Sequence, residues 1–139
     1  MSLSILDTDS LSLFRQGQES IVRRMSQSVP GELAITVITV EEQLSGWYTL
    51  LRRAKSDTDL ARTYQRLADT VKLLAEFPIL LYNEAAIARY EQLRTMKLNV
   101  GGMDLRIAAI ALEHSGTVIT RNLADFQRIP GLFCEDWTA

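Results

Sequence analysis

Cysteine and histidine are almost absent from this chain. One cysteine, Cys134, in 139 residues excludes an internal disulfide framework and suits a reducing compartment. It has no basic neighbour in sequence to activate it as a nucleophile. The single histidine, His114, rules out zinc sites built from His/Cys clusters. It ends an apolar stretch and reads as a cation near a helix C-terminus. Long apolar runs are missing too: no window approaches the roughly 18 residues that cross a membrane. The opening MSLSIL carries no basic segment of the kind that begins a signal peptide. A cytoplasmic protein without membrane contact is the expectation. There is no glycine-rich phosphate loop, since GGMD at 101–104 has neither the spacing nor the lysine of one. A basic excess is also lacking. The formal net charge of −2 gives no general field to attract nucleic acid. An anionic partner would have to be held by local Arg or Lys groups, or by bound metal.

What is present suits an ordinary globular protein. The hydrophobic fraction is 47% and the charged fraction 23%, far from the composition of disorder. The length is that of one domain, 1–139, with one sizeable core. No internal repeat, low-complexity tract or Pro/Gly-rich linker divides it. Apolar runs with strand character lie at 3–6, 33–38, 79–82 and 117–120, with a weaker one after Gly131. Between them the periodicity is helical. Val40, Leu44, Trp47, Leu51 and Ala54 form one stripe, and Leu60, Tyr64, Leu67, Val71 and Leu74 another. Ala86, Tyr90 and Leu93 mark a further helix. Residues 105–112, LRIAAIAL, are apolar nearly all round apart from Arg106, which predicts a helix buried between other elements. The polar break SDTD at 56–59 separates two long helices, and a projecting helical hairpin follows. No tight Asn-Gly or Asp-Gly turn joins the strands. Alternating strands and helices predict an α/β fold, a central parallel sheet of about four to five strands covered by helices on both faces.

Four carboxylates stand out by position. Asp7 follows the first strand, Glu42 the second, and Asp125 the fourth. Asp104 opens the apolar helix that leads into that fourth strand. Each has an ordinary structural reading. Asp7 can form an Asx turn. Thr39 and Glu42 match a capping box. Asp104 can be an N-cap, and Asn122 can cap a short turn with Asp125 at its N3 position. Together they fall where ligands bind in open parallel sheets, outside the carboxyl ends of the strands. Four acids gathered there repel one another in a partly dry site. A hard divalent cation, Mg²⁺ or Mn²⁺ with oxygen ligands, would neutralise them.

The stretches LDTDSLS (6–12), ITVEEQLSG (38–46), DLRIAAIA (104–111) and TRNLADF (120–126) resemble, in order, the four motifs of PIN-domain proteins. Within that family they resemble the VapC-type ribonuclease toxins of type II toxin-antitoxin systems. The resemblance implies a PIN-like three-layer α/β/α sandwich. It also implies a metal-dependent endoribonuclease, with RNA as substrate, a VapB-like antitoxin as inhibitor and a homodimeric assembly. It maps the acidic site to Asp7, Glu42 (not its neighbour Glu41), Asp104 and Asp125, the first three as ligands of the cation and Asp125 acting through a second ion or water. Thr120, Arg121 and Asn122 become candidate substrate contacts, with support of the acids from behind as the other role open to Thr120 and Asn122. Asp9 departs from the asparagine often found in the family's first motif. Arg15, Arg52, Arg53, Lys55 and Arg106 are further candidates for RNA phosphates, and no aromatic platform for bases is evident. Three other readings compete: a receiver-type phosphoacceptor, a non-catalytic interaction module on the same fold, and a nuclease acting on DNA. A receiver needs a lysine after a late strand, where this chain has Arg121.

Overall fold

The structure, a computed structural model, describes residues 2–139. In chain order the elements are β1 (Ser4–Leu6), α1 (Thr8–Arg15), α2 (Glu19–Ser26), β2 (Leu33–Thr36), α3 (Val37–Arg53), α4 (Asp57–Leu74), β3 (Ile79–Leu80), α5 (Glu84–Thr95), α6 (Gly102–Glu113), β4 (Thr117–Ile119), α7 (Leu123–Phe126) and β5 (Phe133–Glu135). The five strands form one sheet in the order β3-β2-β1-β4-β5, and every pairing is parallel. The strand expected after Gly131 is the edge strand β5.

Alternation along the short strands splits the core in two, because successive side chains leave a sheet on opposite faces. Ile5 and Val118 point to one face, where they meet Leu105, Ile107, Ala108 and Ile110 of α6 and Ala86 and Leu93 of α5. Leu6, Ile35 and Ile119 point to the other, against Leu11, Ile21, Met25, Leu74 and Trp137. The result is the expected α/β/α layering, with β1 and β4 central and LRIAAIAL buried. The strand ends of β1 and β4 are locked together by Ser10, whose hydroxyl donates to the Ile119 carbonyl at 2.9 Å.

Three local expectations are corrected. The run 33–38 is extended only to Thr36. Thr36 itself caps α3, with its hydroxyl accepting from the Thr39 amide at 3.3 Å, so Val37 and Ile38 are helical despite their β-branching. Thr39 is therefore no cap and Glu42 no partner in a capping box; Thr39 is buried in the second half-turn. Helix α6 is capped by Gly101, which puts Asp104 in its first turn, not at the N-cap. Helix α2 was not anticipated; its signal is the pair Ile21 and Met25, four apart and both buried.

The α3–α4 hairpin exists, but its stripe is only half used. Leu74 is buried, whereas Leu60, Tyr64 and Val71 are exposed. A polar contact holds the two helices instead: the Trp47 indole donates to the Thr70 hydroxyl at 2.7 Å. Among the described residues no helix is long and apolar enough to cross a membrane.

Candidate active site

Asp7 leaves β1 as the N-cap of α1. One carboxylate oxygen accepts from the Ser10 amide at 2.8 Å, so the Asx-turn reading and the site reading hold together. The side chain is 5% exposed. Burial raises its pKa, and hydrogen bonds from Thr120 and Ser10 pull in the opposite direction. Thr120 has no exposed surface. Its hydroxyl also accepts from the Asn122 amide at 2.9 Å. It supports Asp7 from below, and burial leaves it no access to a substrate.

Glu42 reaches the same place from α3. The Thr8 hydroxyl donates to it at 2.6 Å and lies 3.1 Å from the Thr39 hydroxyl. Glu42 is half-buried and Glu41 exposed, as expected when adjacent helical residues diverge by about 100°. Farther along the same seam, Gln43 donates to the Ser12 hydroxyl at 2.9 Å. Thr8, Ser10 and Gln43 are roles that the sequence did not reveal. Hydroxyl and amide groups have many ordinary uses, and only the packing of α1 on α3 singles these out.

Asp104 completes the group from α6. Its pKa is pushed up to about 6, first by burial and then by the charges of Asp7, Glu42 and Asp125, with a hydrogen bond from Asn122 opposing. The charges of the other three acids thus reach Asp104, and Asp7, Glu42 and Asp104 line one cleft. Asp125 stands at its edge. The Asn122 side chain donates to it at 2.9 Å, and Arg128 pairs with it at 3.0 Å.

Asp7, Thr8, Asp9, Glu42, Asp104, Arg121 and Asn122 line an open cleft of about 470 Å³. Asp125 is not part of that lining. Arg121 bridges to Asp9 through two contacts, Nε to Oδ2 at 2.7 Å and Nη2 to Oδ1 at 3.0 Å. The other arginines raised by the sequence lie elsewhere. Arg15 stacks on Trp47 and Arg106 on Tyr90, while Arg52, Arg53 and Lys55 sit exposed at the outer end of the hairpin. His114 is the C-cap of α6. The Cys134 thiol has its pKa raised by burial, the opposite of an activated nucleophile.

Chemically the cleft offers oxygen donors only, the set that hard divalent cations prefer over softer metals. Asp7, Glu42 and Asp104 are the groups that could hold such an ion. Among the described residues, no three His, Cys, Asp or Glu side chains are gathered as a ready coordination set. A hard cation that keeps part of its water shell suits such spaced donors.

The family model of the PIN domain matches residues 5–132. Ribonuclease VapC1 of Haemophilus influenzae (strain R2866) is 29% identical over 141 aligned positions, which cover 96% of this chain and 97% of that protein. Toxin FitB of Neisseria gonorrhoeae is 30% identical, covering 88% of this chain and 89% of the toxin. Among solved structures, DNA-bound VapBC from Salmonella typhimurium superimposes with a TM-score of 0.80 at 28% identity, over 99% of both chains. The matched span takes in all four acids and the strands from β1 to β4, stopping just before the edge strand β5, and on fold, motif order and full-length similarity this chain belongs to the PIN-domain family.

Proposed function

We propose that this protein is a VapC-type toxin: an endoribonuclease dependent on Mg²⁺ or Mn²⁺, held in check by a VapB-like antitoxin. The observation that carries the reading is the convergence of Asp7, Glu42 and Asp104, from three different elements, on one cleft beyond the strand ends, with the Asp104 carboxyl pushed up to about 6 by burial and by its acidic neighbours. Such mutual repulsion at the strand ends makes sense where a divalent cation relieves it. Asp7, Glu42 and Asp104 are the ligands in this reading, directly or through water, and Asp125 acts at the periphery. A cation bound there would lower the pKa of a coordinated water and offset charge developing on the phosphodiester.

The chain's own part is positioning. Ser10 and Thr120 fix Asp7, Thr8 orients Glu42, and Asn122 ties Asp125 and Asp104 to the start of α7. Arg121 and Asn122 are the polar groups on the rim that an RNA phosphate would meet. The curated relatives named ribonuclease VapC favour RNA over DNA as the substrate. The neighbours solved as VapBC complexes favour an antitoxin partner. The receiver reading loses ground because Arg121 is occupied by Asp9, and the non-catalytic reading because Asp7, Glu42 and Asp104 face one cleft. A homodimer is part of the proposal. Ile79, Leu81 and Ile87, at and just after the edge strand β3, are exposed apolar side chains of the kind that assembly covers.

The test is cleavage of total RNA by the purified protein with Mg²⁺ or Mn²⁺, with EDTA, and with Asp7→Asn. Cleavage that needs the metal and Asp7 is the expected result. Activity that survives EDTA would overturn the metal mechanism.

A further inference from the structure

Arg121 is the one cation among the residues lining the acid cleft. Its side chain is 52% exposed and that of Asp9 47%. The two residues lie 112 positions apart in sequence, Asp9 in the first turn of α1 after β1 and Arg121 in the loop after β4. An isolated surface ion pair contributes little, but a two-pronged guanidinium–carboxylate contact also fixes direction. Direction matters here because one of the acids competing for Arg121, Asp7, belongs to the site itself, while Asp136 lies outside the cleft. Asp7 and Asp136 both act on its charge, after Asp9. An unrestrained arginine beside Asp7, Glu42 and Asp104 would fold into the cleft and satisfy them. Held by Asp9 through Nε and Nη2, it keeps Nη1 without a hydrogen bond among the described residues. The other arginines near the site are committed, Arg128 to Asp125 and Arg106 to the Tyr90 ring.

We propose that Asp9 is a positioning residue that holds Arg121 on the rim of the cleft, where Arg121 binds a phosphate of the RNA strand. The inference rests on the ribonuclease reading above and adds to it a role for an acid outside the cation-binding set. It runs against simple charge counting. Deleting an acid beside a polyanion should tighten binding if charge alone matters; deleting Asp9 should weaken it, because Arg121 is lost to the cleft. Lysine cannot replace arginine in this arrangement, since a point charge does not make the fork.

The experiment measures KM, kcat and the salt dependence of kcat/KM in Mn²⁺, on a labelled RNA carrying one cleavage site mapped with total RNA. The proteins are wild type, Asp9→Ala, Arg121→Ala, Arg121→Lys and the double variant Asp9→Ala/Arg121→Ala. Both residues are exposed, and melting temperatures close to wild type are expected throughout. Arg121→Ala should raise KM roughly five- to tenfold with kcat nearly unchanged, the signature of lost uniform binding. The log–log salt slope should become shallower by about 0.7, one phosphate contact on a single strand. Asp9→Ala and Arg121→Lys should raise KM by roughly threefold or more, and the double variant should be no worse than Arg121→Ala, because residues acting as one unit are not additive. A KM for Asp9→Ala equal to or below wild type would overturn the inference and leave the ribonuclease reading intact. So would a fall in kcat at unchanged KM, which would place Asp9 at the cation. Wild type that cleaves no RNA would overturn the ribonuclease reading first and the inference with it.

Discussion

From Leu105 to Ala111, helix α6 buries Leu105, Ile107, Ala108, Ala109, Ile110 and Ala111 against the sheet. One residue earlier the same helix carries Asp104, half-buried among three other carboxylates. The body of the helix is placed by removal of apolar surface from water, the strongest favourable term in folding. Its first turn carries a charge that burial disfavours. The body can therefore hold the first turn in a position that the acid would not choose, and α6 works as a rigid mount for an uncomfortable group. Asp7 follows the same rule, since the fully buried Ile5 and Leu6 carry it to the end of β1.

The sharpest way to break this comparison is to damage the mount. Ile110 is fully buried, and Ile110→Ala should cost about 2–5 kcal/mol of stability, the range for large-to-small core changes. The denaturation midpoint would measure it. RNA cleavage per folded molecule should stay close to wild type, because the side chain touches no acid. A stability loss below about 0.5 kcal/mol, the usual range of a surface change, would mean that α6 is not held as described.

The converse change spares the mount and alters the charge. Asp7→Asn and Asp104→Asn keep size and hydrogen-bonding capacity, and each should lower metal-dependent RNA cleavage by at least about tenfold, or about 1.4 kcal/mol in the barrier. Circular dichroism and melting would confirm folded protein. Cleavage within about twofold of wild type for both would separate the cleft from the chemistry, since removal of a cation ligand should cost more.

A finer contrast lies within α3. Glu42→Gln should harm cleavage more than Glu41→Gln, because only Glu42 meets the Thr8 hydroxyl while Glu41 faces solvent. Equal loss in the two folded variants would sink the assignment of Glu42.

The sequence exposed the mount and the acids to different degrees. LRIAAIAL has polar atoms in only one side chain, so its burial could be read without any knowledge of its neighbours. That the sheet is parallel followed from strands alternating with helices; the order of its strands did not. Strand ends and caps were harder. ITVITV at 35–40 is as good a strand as a helix start by propensity, and the choice was made by the Thr36 cap and by Thr39 meeting Thr8 across a gap of 31 residues. Long-range partners of that kind leave no local trace. Asp9 was equally opaque. Its partner Arg121 lies in a distant loop, and nothing near either residue announces the pair. The four acids became legible only as a set, because each has a satisfactory local role. The structure bears this out for Asp7, which both caps α1 and enters the cleft.

The smallest effect gives the closest test of the charge argument. The pKa of Asp104 is raised from 3.8 to about 6 in the folded protein. Between these two values the native state binds more protons than the unfolded chain. Stability contributed by this group is therefore fully present below about pH 4 and is lost as pH rises through about 6. Discounted for a group this exposed, the cost at neutral pH is on the order of 1 kcal/mol. Without metal, Asp104→Asn should then melt higher than wild type at pH 7, and the advantage should shrink as pH falls toward 4. Gly101 provides the cap of α6, so asparagine here sacrifices only an acid's attraction to the helix N-terminus, about 0.3–1 kcal/mol, which makes the net gain small. Mn²⁺ reverses the order. At ten times its Kd a bound ion adds about 1.4 kcal/mol to wild type, roughly 3 to 8 °C in melting temperature for a chain of this size, and the variant should gain clearly less. A variant that shifts as far as wild type, or a metal-free advantage that does not change with pH, would leave Asp104 as no more than an acid in the first turn of a helix.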